Sequence, residues 1–501
     1  MKNSPLTIMI QGTHSDAGKS VITTALCRIF AQDGYKTAPF KSQNMALNSY
    51  ITLDGKEVGR AQGVQAEAAK TIATTDMNPI LIKPSRDMEA QVVFHGKPYA
   101  TMKANQYREE FFQLGVQAIH DSLQKLKEEY EVIVIEGAGS PAEINLTDKE
   151  LVNMRVARIA NAPVILVGDI DKGGVFASLV GTLQLLGPHD RSRVIGVIIN
   201  KFRGDISLLQ PGLDWFEEYT GVPVLGVIPY LEGLEIDGED SLVLQKYGND
   251  HKDQAAIDIA VIAYPRISNF TDVDPLRLEP DCRVRFVRKA SELGNPDFII
   301  LPGTKNTAED LLFLREAGLF EKIKTAYHNG TCLAGICGGF QMLGEKIMDP
   351  SQIESPYTIM EGFGLFPMVT EMTEMKKTVR VKGFCRMKGF ENLLLSGYEI
   401  HMGRTQLNRN HQPFSILSGE MEGCTIQEGT LFGTYLHDVF HNDEFRGAYL
   451  NKIRKKKGLE PIERSLRFRD LKEREFDRLA EHVRRSIKMD LILEKMKEFS
   501  V

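Results

Sequence analysis

Cys337 stands in the run Cys332-Leu-Ala-Gly-Ile-Cys337-Gly-Gly-Phe-Gln341. A β-like stretch, a glycine-flanked corner and a helix would raise this thiol on a sharp strand-to-helix turn. Such a turn aims backbone N–H groups at an oxyanion formed beside the sulfur. A thiol needs a base to become a nucleophilic thiolate near neutral pH. The downstream candidates are His401, His437 and His441. His437 closes the run Gly433-Thr-Tyr-Leu-His-Asp438, and such a strand end can meet the thiol corner in a doubly wound sheet.

A second cluster lies far upstream. Gly12-Thr-His-Ser-Asp-Ala-Gly18-Lys19-Ser20 follows the apolar run Leu6-Thr-Ile-Met-Ile10 and opens a helical stretch from Val21 to Phe30. That context is the one a phosphate-binding loop requires, although five residues separate the glycines here where the common motif has about four. Backbone N–H groups would cradle phosphate oxygens, Lys19 would neutralise charge, and the Ser20 hydroxyl would reach Mg²⁺. Val132-Ile-Val-Ile-Glu136-Gly-Ala-Gly139 ends an apolar strand with a carboxylate. A carboxylate at the carboxyl end of a parallel strand faces the ligand crevice, so Glu136 is the expected second Mg²⁺ ligand. A thiol site and an ATP site on one chain suggest that a group is freed at one and attached at the other.

The elements that must carry these residues are legible as runs. Leu6–Ile10, Lys36–Phe40, Glu131–Ile135, Pro163–Val167, Val194–Ile199 and Val222–Ile228 are continuous apolar strands separated by helical lengths. That pattern predicts a parallel sheet covered on both faces. Residues 231–255 turn polar and acidic, with Glu232, Glu235, Asp237, Glu239 and Asp240. A second series follows, Ile257–Ala263, Phe298–Leu301 and Cys332–Ile336, ending in β-rich segments near Gly397–Met402 and Thr430–Leu436. Phe476, Leu479, Ala480, Val483 and Ile487 recur at helical spacing and should pack on the body. The expected fold is α/β, with two doubly wound, mainly parallel sheets and a helical tail. The expected domains are 1–250, 251–446 and 447–501.

The chain has 501 residues, 42% hydrophobic and 26% charged, and a net charge of −6. The balance argues against nucleic acid as the main partner. No apolar run reaches the roughly 18–20 residues of a membrane helix. Leu6–Ile10 reads as a first strand rather than part of a signal peptide. Six scattered cysteines lack metal-ligand spacing. Free thiols in a reducing cytoplasm are the simplest account, with no protein-bound transition metal expected.

The lengthened loop and Glu136-Gly-Ala-Gly139 resemble the dethiobiotin synthetase-like ATPases, which activate a carboxylate or carbamate by phosphorylation. The resemblance implies a P-loop NTPase-like fold and turns Lys41 toward the phosphates. The segment Phe40-Lys-Ser-Gln-Asn-Met45 departs from the dethiobiotin enzyme's own pattern, which points away from biotin chemistry. Cys337, its glycines and His437 resemble the class I glutamine amidotransferases, implying a flavodoxin-like domain. There Cys337 would attack the glutamine amide, and His437 would act as base and then as acid for ammonia. Backbone N–H groups of Gly338 and of the Leu301-Pro-Gly303-Thr304 loop would form the oxyanion hole. Many members carry glutamate two residues after the histidine, whereas Val439 stands there here. Asp438 is adjacent, but successive strand residues point to opposite faces, so no third member is assigned.

Seven segments in order resemble the cobyric acid synthase family over nearly the whole length. They are Lys41–Ser49, Met77–Pro84, Glu136–Leu146, Asp169–Ala177, Asn200–Gly204, Gly397–Gly403 and Phe476–Arg484. The resemblance implies ATP- and glutamine-dependent amidation of the b, d, e and g carboxylates of adenosylcobyrinic acid a,c-diamide. Lys83, Arg86, Lys172, Lys201 and Arg203 would then serve the corrin or phosphate side. The alternatives are a cobyrinic acid a,c-diamide synthase, or a P-loop regulatory ATPase that leaves Cys337 and His437 idle.

Overall fold

The computed structural model describes residues 4–86, 88–236, 255–407, 411–463 and 466–500, without the side chains of 85 and 86. Asp237, Glu239 and Asp240 of the expected acidic boundary lie outside the described residues. The chain divides into two compact units: Met1–Met45 with Glu57–Ile236 and Asp470–Val501, and Ala46–Lys56 with Asp237–Arg469. Both are α/β with mainly parallel sheets.

In the first unit the strands run in the order Val224–Pro229, Val194–Phe202, Val164–Asp169, Leu6–Gly12, Val132–Glu136 and Thr37–Phe40, all parallel. Val132–Glu136 is buried along its whole length. Burial on both sides is why its sequence is continuously apolar rather than alternating. Ile10 pairs with Glu136, and Phe40 with Ile135. This register brings the phosphate loop, Glu136 and Lys41 to one carboxyl edge. A second sheet went unread in the sequence: Gln43–Met45, Ile80–Arg86, Glu89–Phe94 and Lys97–Lys103.

The C-terminal helices Phe468–Ser486 and Met489–Phe499 complete this unit. Phe476, Leu479, Ala480 and Val483 share a core with Ile8, Ile22, Leu26 and Ile29, as their spacing predicts. Arg28 projects from the helix Lys19–Gln32 and donates to Glu473 and Asp477, each at 2.8 Å.

The second unit orders its main sheet as Cys282–Val287, Ile257–Ile262, Phe298–Leu301, Cys332–Ile336, Leu431–Thr434 and Cys424–Ile426. The first five run parallel and the last is antiparallel. Ile336 pairs with Thr434, and Leu301 with Gly335. Cys337, the approach to His437 and the Pro302-Gly303 turn therefore emerge at one edge. The β-rich segment expected near Gly397–Met402 is the middle of a long strand, Leu394–Leu407, paired antiparallel with Met368–Cys385. Among the described residues no helix is long and apolar enough to cross a membrane.

Phe476 is only 1% exposed. Phe476→Ala should lower stability by about 3–5 kcal/mol, read as an earlier thermal transition.

Candidate active site

Cys337 adopts φ 52°, ψ −108° between the strand Cys332–Ile336 and the helix Gly338–Met342. This is a strained conformation for a residue with a Cβ, of a kind that collects at functional sites. Three bonds hold it: Cys337 N–H donates to Thr434 O at 2.8 Å, Gly339 N–H to Pro302 O at 3.1 Å, and Gln341 N–H to Cys337 O at 3.0 Å. The corner does not lift the thiol into open solvent, because Cys337 is only 7% exposed. Its Sγ–H points to Ile400 O at 3.4 Å. Gly303 lies beside the histidine, where a Cβ would come 3.2 Å from His437 Cε1. Gly338 leaves no room for a Cβ against Thr304. The two proposed oxyanion positions thus flank the thiol corner.

Of the three histidine candidates, His437 is the one built into this corner. It is buried, and its Nδ1 lies 2.7 Å from Asp272 Oδ2. The other Asp272 oxygen accepts the Asp438 N–H at 2.8 Å. One carboxylate therefore fixes both the ring and the turn that carries it. Val439 is buried and apolar, and Asp438 sits in the left-handed region at φ 62°. Asp272 supplies the carboxylate against the ring that Val439 cannot. The sequence hid it because 165 residues separate it from His437 and nothing local in Phe270–Val273 marks it as a partner.

Burial disfavours the charged imidazolium. The Asp272 charge and hydrogen bond, with help from Cys337, outweigh that and hold His437 at about 10. The remaining ring nitrogen, Nε2, is buried and makes no hydrogen bond of ordinary geometry among the described residues. With Nδ1 committed to Asp272, Nε2 is the atom left to exchange a proton with sulfur or substrate. Tyr398 lies flat on the imidazole, ring centres 5.0 Å apart and planes 15° from parallel, and its carbonyl accepts the His437 N–H at 2.8 Å.

The sequence also passed over a polar network beside the thiol. Thr307 donates to Gln341 Oε1 at 2.9 Å, and Gln341 Nε2 donates to the Tyr435 hydroxyl at 3.2 Å. His401 stacks on Tyr435 and bonds Gly403 O and Glu399 rather than the thiol. His441 lies 3.5 Å from Asp438. Thr304 donates to Asp310, whose carboxyl burial pushes up to about 7.

In the first unit, Gly18 takes φ +102° where the loop turns into the helix, and a Cβ there would strike the Asn200 amide. Lys19 Nζ spans the loop, donating to His14 O at 2.9 Å and Gly139 O at 3.1 Å. Glu136 gathers three donors: Ser20 Oγ at 2.8 Å, Lys41 Nζ at 2.9 Å and Gln65 Nε2 at 2.5 Å. The set Lys19, Ser20, Lys41 and Glu136 therefore converges, and Gln65 joins it unforeseen. A hydroxyl and a carboxylate are the hard oxygen donors Mg²⁺ takes. Thr13 Oγ1 is buried without a partner among the described residues. Both observations fit a Mg²⁺–triphosphate in the loop.

The cations expected on the corrin or phosphate side are held by acidic and aromatic neighbours. Lys201 bonds Asp169 at 2.6 Å and Asp16 O at 2.7 Å. Lys172 lies 3.9 Å from Asp16. Lys83 is buried against Glu57 at 2.6 Å, and Arg203 lies over the Tyr230 ring. The Arg86 side chain lies outside the described residues.

Comparison with known proteins agrees with this layout. Residues 8–243 match the CobQ/CobB/MinD/ParA nucleotide binding domain, and residues 258–445 the CobB/CobQ-like glutamine amidotransferase domain. Cobyric acid synthase from Geobacillus sp. (strain WCH70) is 60% identical over 99% of this chain and 98% of its own length. The protein of that name from Streptococcus sanguinis (strain SK36) is 50% identical over 97% of each. The chain belongs to the cobyric acid synthase family. It is therefore an enzyme, a glutamine amidotransferase with a nucleotide-binding domain.

Asp272→Asn keeps the size of the side chain and removes its charge. Burial then acts on His437 opposed only by Cys337, and its pKa falls. The imidazolium is lost as pH rises through that pKa, so the basic limb of the glutaminase pH profile should move to lower pH. Glutaminase kcat should drop about 1,000- to 10,000-fold. An unchanged profile would leave Asp272 a packing role only.

Proposed function

We propose that this enzyme converts adenosylcobyrinic acid a,c-diamide to adenosylcobyric acid by amidating the b, d, e and g carboxylates, with one glutamine and one ATP for each amide. One observation carries the reading: a thiol–imidazole–carboxylate corner and a phosphate loop with converging Lys41 and Glu136 occur on a single chain.

At the thiol site, Cys337 gives its proton to His437 and attacks the glutamine amide carbon. The developing oxyanion meets the N–H groups of Gly338 and the Gly303 turn. His437 returns the proton to nitrogen as the C–N bond breaks, releasing ammonia and leaving a glutamyl thioester. Water, deprotonated by His437, then frees glutamate and restores the thiol.

A corrin carboxylate is a poor electrophile because oxide is a poor leaving group. Transfer of the γ-phosphoryl group of ATP to its oxygen gives an acyl phosphate and ADP. Ammonia adds to the acyl carbon and phosphate departs. The protein's share of phosphoryl transfer is positioning and charge neutralisation. Lys19 and Lys41 supply the positive charge, and Ser20 and Glu136 would hold Mg²⁺, which neutralises phosphate charge when bound.

Two variants separate the half-reactions. Cys337→Ala should abolish amide formation from glutamine and retain it from ammonium salts. Glu136→Gln should abolish amide formation from either nitrogen source and leave glutamine hydrolysis measurable. Mass analysis of the corrinoid product should find four new amides. Two new amides, formed from the fully acidic corrin instead, would mark the a,c-diamide synthase reaction.

A further inference from the structure

The polypeptide between Lys41 and Gln65 has ends and a middle with different surroundings. Lys41 and Gln65 both donate to Glu136. The middle, Ala46–Lys56, belongs to the second unit. There it grips both supports of His437. Ser49 N–H donates to Asn269 Oδ1 at 2.9 Å. Asn269, at φ 52°, starts the short turn Phe270–Val273 that carries Asp272. On the other side, Ile51 is fully buried and packs with Tyr398 and Ile400. Tyr398 is the ring stacked on His437, and Ile400 supplies the carbonyl that faces the Cys337 thiol. Arg380 clamps the segment, donating to Ile51 O at 2.7 Å with its guanidinium 5.1 Å from the Tyr50 ring centre.

We propose that residues 46–56 are a strap that positions His437, with Asn269 and Tyr398 as the positioning residues, so that nucleotide at the phosphate loop sets the rate of glutamine hydrolysis at Cys337. The inference rests on the ATP and glutaminase roles proposed above. Its physical basis is competition for Glu136. A bound Mg²⁺ would compete with Lys41 and Gln65 for the carboxylate oxygens, and phosphate oxygens would draw Lys41 away. Four residues join Lys41 to Ala46, and eight join Lys56 to Gln65. A shift at either anchor therefore reaches the strap through little slack chain. An effect at a distance requires such a difference in contacts between two states.

The test is glutaminase kinetics on the full chain, without corrinoid, with and without Mg²⁺ and the β,γ-imido analogue of ATP. In the unaltered enzyme the analogue should raise kcat about 5-fold or more, with KM for glutamine changing less. Asn269→Gly keeps the left-handed backbone accessible and removes the acceptor for Ser49. Tyr398→Phe keeps the ring stack and removes the hydroxyl that lies 3.5 Å from Ser49 O. Both should lose the stimulation while binding the analogue with unchanged affinity. Should either fail to fold, Arg380→Met removes the side-chain donor to Ile51 O while the backbone pairing of residue 380 with Tyr398 is kept, and the same loss is expected. Stimulation that persists in these variants, or a glutaminase indifferent to the analogue from the start, overturns the strap. Neither result bears on whether glutamine-dependent amides form on the corrin, which is read separately by mass.

Discussion

A parallel sheet ends all its strands, in the carboxyl direction, along one edge, and both chemical sites are hung from such an edge. The register does the placing. Ile10 opposite Glu136 and Phe40 opposite Ile135 bring a carboxylate and a lysine beside the phosphate loop. Ile336 opposite Thr434 brings the end of the thiol strand alongside the strand that leads to His437. A slip of one residue would turn every side chain on the moved strand to the other face. Full burial of these strands makes any slip costly, and it gives the short loops at their ends fixed anchors.

On those anchors the enzyme keeps arrangements that would not persist alone. Cys337 holds a backbone conformation that costs on the order of 1–3 kcal/mol. It is kept there by its neighbours' hydrogen bonds and by the sheet pairing on either side. Glu136 is a buried carboxylate, which is tolerable only because three donors surround it. Asp272 and His437 are likewise buried together. Losing one partner of such a pair leaves an uncompensated group, so these sites are sensitive to single substitutions in a way that exposed ion pairs are not.

Local pattern made much of this legible. The continuous apolar runs marked the central strands of both sheets, because burial on two faces leaves a compositional trace. The phosphate loop and thiol corner were legible because each needs glycine at particular turns within a few residues. The helical face of Phe476, Leu479, Ala480 and Val483 was legible from spacing alone. What escaped were arrangements made by tertiary structure. Asp272 reaches His437 across 165 residues, and no local rule singles it out from other acids. Gln65 reaches Glu136 across 71. The long strand Met368–Cys385 carries charged and polar residues at many positions because much of it is only partly buried, so its pattern resembles that of a loop.

The terminal helices have a consequence for synthesis. Ile8, Leu26 and Ile29 from the start of the chain share a core with Phe476, Val483 and Met496 from its end. On the ribosome, the apolar surface of the first unit stays uncovered while some 230 further residues are made, roughly ten seconds to a minute at ~5–20 residues per second. The second unit is threaded through that interval and can fold within it. The first-made half of this enzyme is thus the last to be finished.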